Sequence, residues 1–161
     1  MGYYQEDYDS NIIVICPYCD RPSFFNHSAE IKVPGDLPGN SVDFVPEEIE
    51  KLYNEARKAV SVQAFTAAVL SCRKILMHIA VNLGAEEQQS FFNYVQFIAD
   101  QGFVPPNGRE WVDHIRKRGN EANHEIVIMD KENALDLITF IEMLLVFNYE
   151  FPNRIPESTE S

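Results

Sequence analysis

The sequence predicts a mainly α protein, a bundle of four to five helices carrying a small N-terminal β-hairpin. Three observations predict it. Apolar residues recur at helical spacing from position 46 onward, and the residues before it are β-branched and rich in turn formers. Hydrophobic residues make up 45% of the chain, the composition of an ordinary globular protein. Its 161 residues suffice for one domain with a real core plus an appendage, and fall short of two full domains.

Residues 1–45 read as an N-terminal arm, a hairpin and a linker. The arm, 1–10, is polar and aromatic (Tyr3, Tyr4, Tyr8) without a clear period. Ile12-Ile13-Val14-Ile15 suits a strand, Cys16-Pro17-Tyr18-Cys19 a tight turn, and Ser23-Phe24-Phe25 a returning strand. Val33 to Asn40 holds two prolines and two glycines and is expected to be loop.

Residues 46–151 form the expected bundle. Pro46 suits a first helical position, with Glu47 and Glu48 at the positive end of the helix. Ile49, Leu52, Tyr53, Ala56 and Val60 then share a face. A second helix, about 63–83, is apolar nearly all round in its first half and is expected to be central and buried, with Gly84 as its cap. A third covers about 86–100 and closes at Gly102. Pro105 and Pro106 precede a fourth that carries Trp111 and Ile115. A fifth starts at Asp130 as N-cap and buries Leu135, Ile138, Ile141, Leu144 and Leu145. Phe151-Pro152 is expected to stop it, leaving 152–161 as a flexible tail. No internal repeat is evident.

Charge excludes one class of function. Lys and Arg number 13 against 25 Asp and Glu, a formal net charge of -12, so no broad nucleic-acid-binding surface is expected. A local basic patch stays open. The acidic first residues do not resemble a secretory signal, and Leu144 to Phe147 is too short an apolar run to span a bilayer, so no membrane contact is expected. Three cysteines make no disulfide framework, and a reducing cytoplasm is the simplest expected location.

The segment from Ile115 to His124 is the candidate site. Positions four apart on a helix stack one turn above another, so Arg116, Asn120 and His124 would share a stripe. Arg grips phosphate oxygens with a planar, permanently charged fork, His exchanges protons near neutral pH, and Asn orients either. Together they suit phosphodiester cleavage by a ribose 2′-hydroxyl. Gly119 offers a second geometry, closing one helix at Arg118 and leaving Asn120 to cap another, which makes Arg118 the partner of His124. Plain turn chemistry at Gly119-Asn120 and a structural His124 remain the bland alternative.

Tyr53-Asn54-Glu55-Ala56, Ala67-Ala68-Val69-Leu70 with Arg73, and Ile115-Arg116 followed by Gly119 to His124 carry a resemblance. Over about residues 46–151 the chain resembles a bacterial domain of unknown function found alone and attached to type I restriction-enzyme subunits, which is similar to the HEPN helical domains. The resemblance implies a HEPN-like bundle, a homodimer, and an endoribonuclease of phage defence or stress response that needs no metal for catalysis. Its site would comprise Arg116, Arg118, Asn120 and His124. The usual spacing of four to six residues between Arg and His fits Arg118 better than Arg116. Leu76-Met77 stands where related domains often carry Leu-Glu, so an acidic residue is missing. The alternative is a non-catalytic dimeric module that docks on a partner protein, which the acidic surface and the aromatic arm favour.

Cys16 and Cys19 have the spacing of half a tetrahedral zinc site, zinc-knuckle-like, with His27 at a plausible distance. A structural zinc, a redox pair and a metal-free knuckle are all open. Arg73, in apolar surroundings on the second helix, is expected to pair with Glu55 or Glu142.

Overall fold

A computed structural model describes residues 11–105, 108–120 and 128–154, the side chains at 109 and 116–120 excepted. Its N-terminal part is a three-stranded antiparallel sheet rather than a two-stranded hairpin: β1 (Asn11–Ile15), β2 (Pro22–Asn26) and β3 (Ile31–Val33), in that order. Ile13 faces Phe24, and Phe24 faces Val33, so a single sheet face carries Ile13, Ile15, Phe24, Ile31 and Val33. The third strand lies in Ile31-Lys32-Val33, too short to show a period in sequence.

The bundle follows: α1 (Glu47–Ser61), α2 (Phe65–Asn82), α3 (Phe91–Asp100), α4 (Arg109–Asn120) and α5 (Lys131–Leu145). Helix α2 packs against α1, α3 and α5. Ala68, Cys72, Leu76, Ile79 and Ala80 on it are fully buried, as its apolar composition predicts, and the alanines let neighbouring helices approach. Helix α3 begins later than its sequence suggests, because Ser90 caps it by accepting the Asn93 N–H. Asp130 caps α5 in the same way through the Asn133 N–H at 2.8 Å. In α5 the buried face runs through Ala134, Leu137 and Ile138, while Leu135 is only partly buried. Gly84 and Gly102 take positive φ just past α2 and α3, where the closing hydrogen bonds Ala85 N–H to Ala80 O and Phe103 N–H to Ile98 O require a left-handed residue.

The helical path does not stop at Pro152. It passes from α5 through a π-helical turn, Val146–Glu150, into α6 (Phe151–Arg154). Phe151 N–H reaches back to Val146 O, five residues away. That wider turn shifts the hydrogen-bond ladder just before a proline that cannot donate to it.

The loop between β3 and α1 is fixed by charged side chains of the bundle. Arg57, only 7% exposed, donates to Pro38 O at 2.7 Å, to Gly39 O at 2.8 Å and to Asn54 Oδ1 at 3.1 Å. Glu142 Oε1 accepts from Asn40 Nδ2, and Glu150 accepts the Asp43 N–H while pairing with Arg154. Gly39 has φ +67, and a Cβ there would stand 2.6 Å from Glu142 Oε2 and 2.7 Å from the Tyr53 hydroxyl. Gly39→Ala is therefore expected to destabilise the protein by about 3 kcal/mol, combining left-handed strain with overpacking. Urea unfolding followed by circular dichroism measures this, and an unchanged midpoint would show that the loop is not held where Arg57 grips it.

Candidate functional site

Helix α4 has an acidic first turn at Glu110 and an inward stripe of Val112 and Ile115, both buried against the bundle. It runs without a break through Gly119 to Asn120, so Gly119 does not close a helix at Arg118. Position 119 lies four residues after Ile115 and seven after Val112, in helical register with them. The register then separates the two arginines. Arg116 falls one turn beyond Val112 and one turn before Asn120, whereas Arg118 falls on the stripe of Trp111 and His114. His124, the expected proton-transfer residue, lies outside the described residues, in the connection from α4 to α5.

Beside that stripe the structure brings together groups that sequence reading missed. His114 Nε2 lies 2.7 Å from Asp136 Oδ2 of α5, with both side chains partly open to solvent. The Trp111 ring meets the His114 ring edge-on at 5.8 Å and stacks on Phe140 at 6.5 Å. Asp136 shares a narrow cleft with Arg73, Ile115 and Asn133. A carboxylate that fixes one imidazole nitrogen leaves the other for a ligand or a proton. His114 and Asp136 are 22 positions apart on different helices, and their only sequence signal is that each shares a helical stripe with an aromatic, Trp111 or Phe140.

Arg73 lies with its guanidinium 4.4 Å from the centre of the Phe91 ring, and burial pushes its pKa down. Glu142, an expected partner, engages Asn40 of the loop. The most buried arginine of the described residues is Arg57, which holds the loop.

The Cys16-Pro17-Tyr18-Cys19 turn joins β1 to β2. Cys16 N–H donates to Arg21 O at 3.0 Å and Asp20 N–H to Cys16 O at 2.9 Å, with Asp20 at positive φ. The N–H groups of Tyr18 and Cys19, and the Cys19 thiol, hydrogen-bond the Cys16 sulfur and hold its thiol below the usual range. His27 does not join them. It follows the far end of β2, about 17 Å along a five-residue strand. Among the described residues no group of three His, Cys, Asp or Glu gathers to hold a metal.

A family model described as a domain of unknown function, DUF4145, matches residues 54–159. That span takes in the second half of α1 and all of α2 to α6, and leaves out the sheet. No curated protein and no solved structure matches the chain.

The three cysteines differ enough for a chemical test. Cys72 is buried in α2 and burial pushes its thiol up to about 12, whereas Cys19 is exposed and Cys16 is partly exposed with a lowered pKa. Only the thiolate is nucleophilic, so in reduced native protein a thiol reagent at neutral pH is expected to modify Cys16 first, then Cys19, and to reach Cys72 only after denaturation. Mass spectrometry of the modified peptides reads the order, and early labelling of Cys72 would contradict its place in the core.

Proposed function

The chain belongs to the DUF4145 family of domains of unknown function, and from that premise we propose that its bundle is a HEPN-like, metal-independent endoribonuclease serving phage defence or stress response. The observation that carries this reading is the unbroken α4. It leads Arg116, Arg118 and Asn120 directly into the segment that holds His124. In the proposed reaction His124 takes the proton of a ribose 2′-hydroxyl, and that oxygen attacks the adjacent phosphorus. The bond from phosphorus to the 5′-oxygen breaks, the departing oxygen gains a proton, and a 2′,3′-cyclic phosphate remains. An arginine of the pair Arg116 and Arg118 stabilises the charge that gathers on the phosphate oxygens, and Asn120 orients the groups. A homodimer would place two such segments across one groove, as the HEPN resemblance implies.

A second reading, a non-catalytic dimeric module that docks on a partner protein, is favoured by the sheet. Ile13, Ile15, Phe24 and Ile31 are 57%, 45%, 38% and 36% exposed on one face, an apolar surface that a partner would cover.

The two readings separate in one experiment. Purified protein is incubated with single-stranded and structured RNA in excess chelator. Cleavage to cyclic-phosphate ends is expected, with a loss of about 100-fold or more in His124→Ala and a comparable loss in Arg116→Ala or Arg118→Ala. Far-UV circular dichroism of the variants should match the wild type. RNA left whole by folded wild-type protein would sink the nuclease reading and leave the docking module.

A further inference from the structure

In an in-line displacement the attacking 2′-oxygen and the departing 5′-oxygen stand on opposite sides of phosphorus. The group that takes a proton from one is therefore poorly placed to return it to the other. The proposed cleavage calls for a second proton-transfer group. We propose that His114 is that group, donating from Nδ1 to the departing 5′-oxygen while Asp136 holds its Nε2. This assignment rests on the ribonuclease reading and adds the proton donor that completes its step.

Two contacts fix the ring. A carboxylate only accepts, so at 2.7 Å from Asp136 Oδ2 the Nε2 of His114 carries the proton, and Nδ1 is the nitrogen left for substrate. Trp111, three positions earlier on α4, meets the imidazole edge-on at 5.8 Å. The indole is itself stacked on Phe140, which is buried in α5. An imidazole held from α5 on one side and by a braced aromatic on the other is oriented before any substrate arrives.

The pair is also within reach of a ligand. The His114 side chain is 42% exposed and that of Asp136 24%, and Trp111 beside them is 37% exposed. Ion pairs this open to solvent contribute little to folding. Arg118, one of the two candidate phosphate-binding arginines, follows His114 by four positions, one helical turn and about 6 Å along the axis. A phosphate engaged at that turn would have its leaving oxygen within one turn of the imidazole. As the bond from phosphorus to the 5′-oxygen breaks, its electron pair stays on that oxygen, which takes the Nδ1 proton of the doubly protonated ring. His114 is left neutral with Nε2–H still donated to Asp136, and a proton from solvent restores it.

A substrate whose leaving group needs no proton tests this. Wild-type protein is first used to map a cleavage site in RNA, and the 5′-oxygen at that site is then replaced by sulfur, which departs as a thiolate without protonation. On ordinary RNA, His114→Gln is expected to lower kcat about 100-fold with little change in KM. On the sulfur substrate it should cleave as fast as the wild type. Asp136→Asn should show a smaller loss that sulfur likewise erases, which a merely structural pair would not produce, whereas His124→Ala should stay impaired on both substrates. Far-UV circular dichroism confirms folding, and Asp136→Asn carries the test alone if His114→Gln does not fold. Undiminished cleavage of ordinary RNA by His114→Gln, or an equal loss on both substrates, would overturn the assignment and leave the ribonuclease reading standing. Ordinary RNA left whole by folded wild-type protein would sink that reading and His114 with it.

Discussion

The course of the connection from β3 to α1 depends on the Arg57 guanidinium. The connection from β3 to α1 is made of residues that form no ladder of their own, so its carbonyls need donors from elsewhere. Arg57 supplies them to Pro38 and Gly39 from a site only 7% exposed. Hydrogen bonds from a charged donor contribute about 1.5–3 kcal/mol each, enough to fix a loop that the backbone would otherwise leave free. Glu142 and Glu150 extend the grip to Asn40 and Asp43. The Tyr53 hydroxyl lies buried beside Gly39 without a hydrogen-bond partner, and burial raises its pKa. This corner therefore combines well-paired charge with one unsatisfied polar atom, and the missing Cβ of Gly39 makes room for both.

Much of the bundle was legible because helices advertise themselves locally. Apolar spacing gave the inward face of α1, composition gave the burial of α2, and Asp130, Gly84 and Gly102 acted as the expected boundaries. What escaped the sequence depends on contacts between distant segments. The third strand is visible only through its pairing of Phe24 with Val33. Pro152 reads as a helix stop until the π turn at Val146–Glu150 changes the ladder it would have broken. Arg57 sits one position from Ala56 on a face that periodicity alone marks as apolar, and its partners lie 18 and 19 positions away.

The candidate site divides along the same line. Arg116, Arg118 and Asn120 stand out by residue type, yet their mutual geometry turned on whether Gly119 ends a helix, which local propensity leaves balanced. In the structure α4, anchored to the bundle by the buried Val112 and Ile115, continues through Gly119 to Asn120. The His114–Asp136 pair needed α4 and α5 to be brought together before it existed as a feature. The cysteine spacing was plain in sequence, but the separation of His27 from it follows only from the course of β2.

The acidic balance weighs less against a local phosphate-binding site than the total suggests. A net charge of -12 sets the long-range field, which slows the approach of a polyanion. At physiological salt that field decays over about 8 Å, so charges elsewhere on the surface are largely screened from a group in contact with phosphate. Arg116, Lys117 and Arg118 are three consecutive cationic residues of α4, set about 100° apart around its axis. In the proposed reaction, contact with phosphate would be governed by direct hydrogen bonds from an arginine, while the acidic balance disfavours extended, sequence-independent coating of nucleic acid. The charge balance is therefore compatible with the proposed local engagement of a single phosphodiester and disfavours wrapping a duplex.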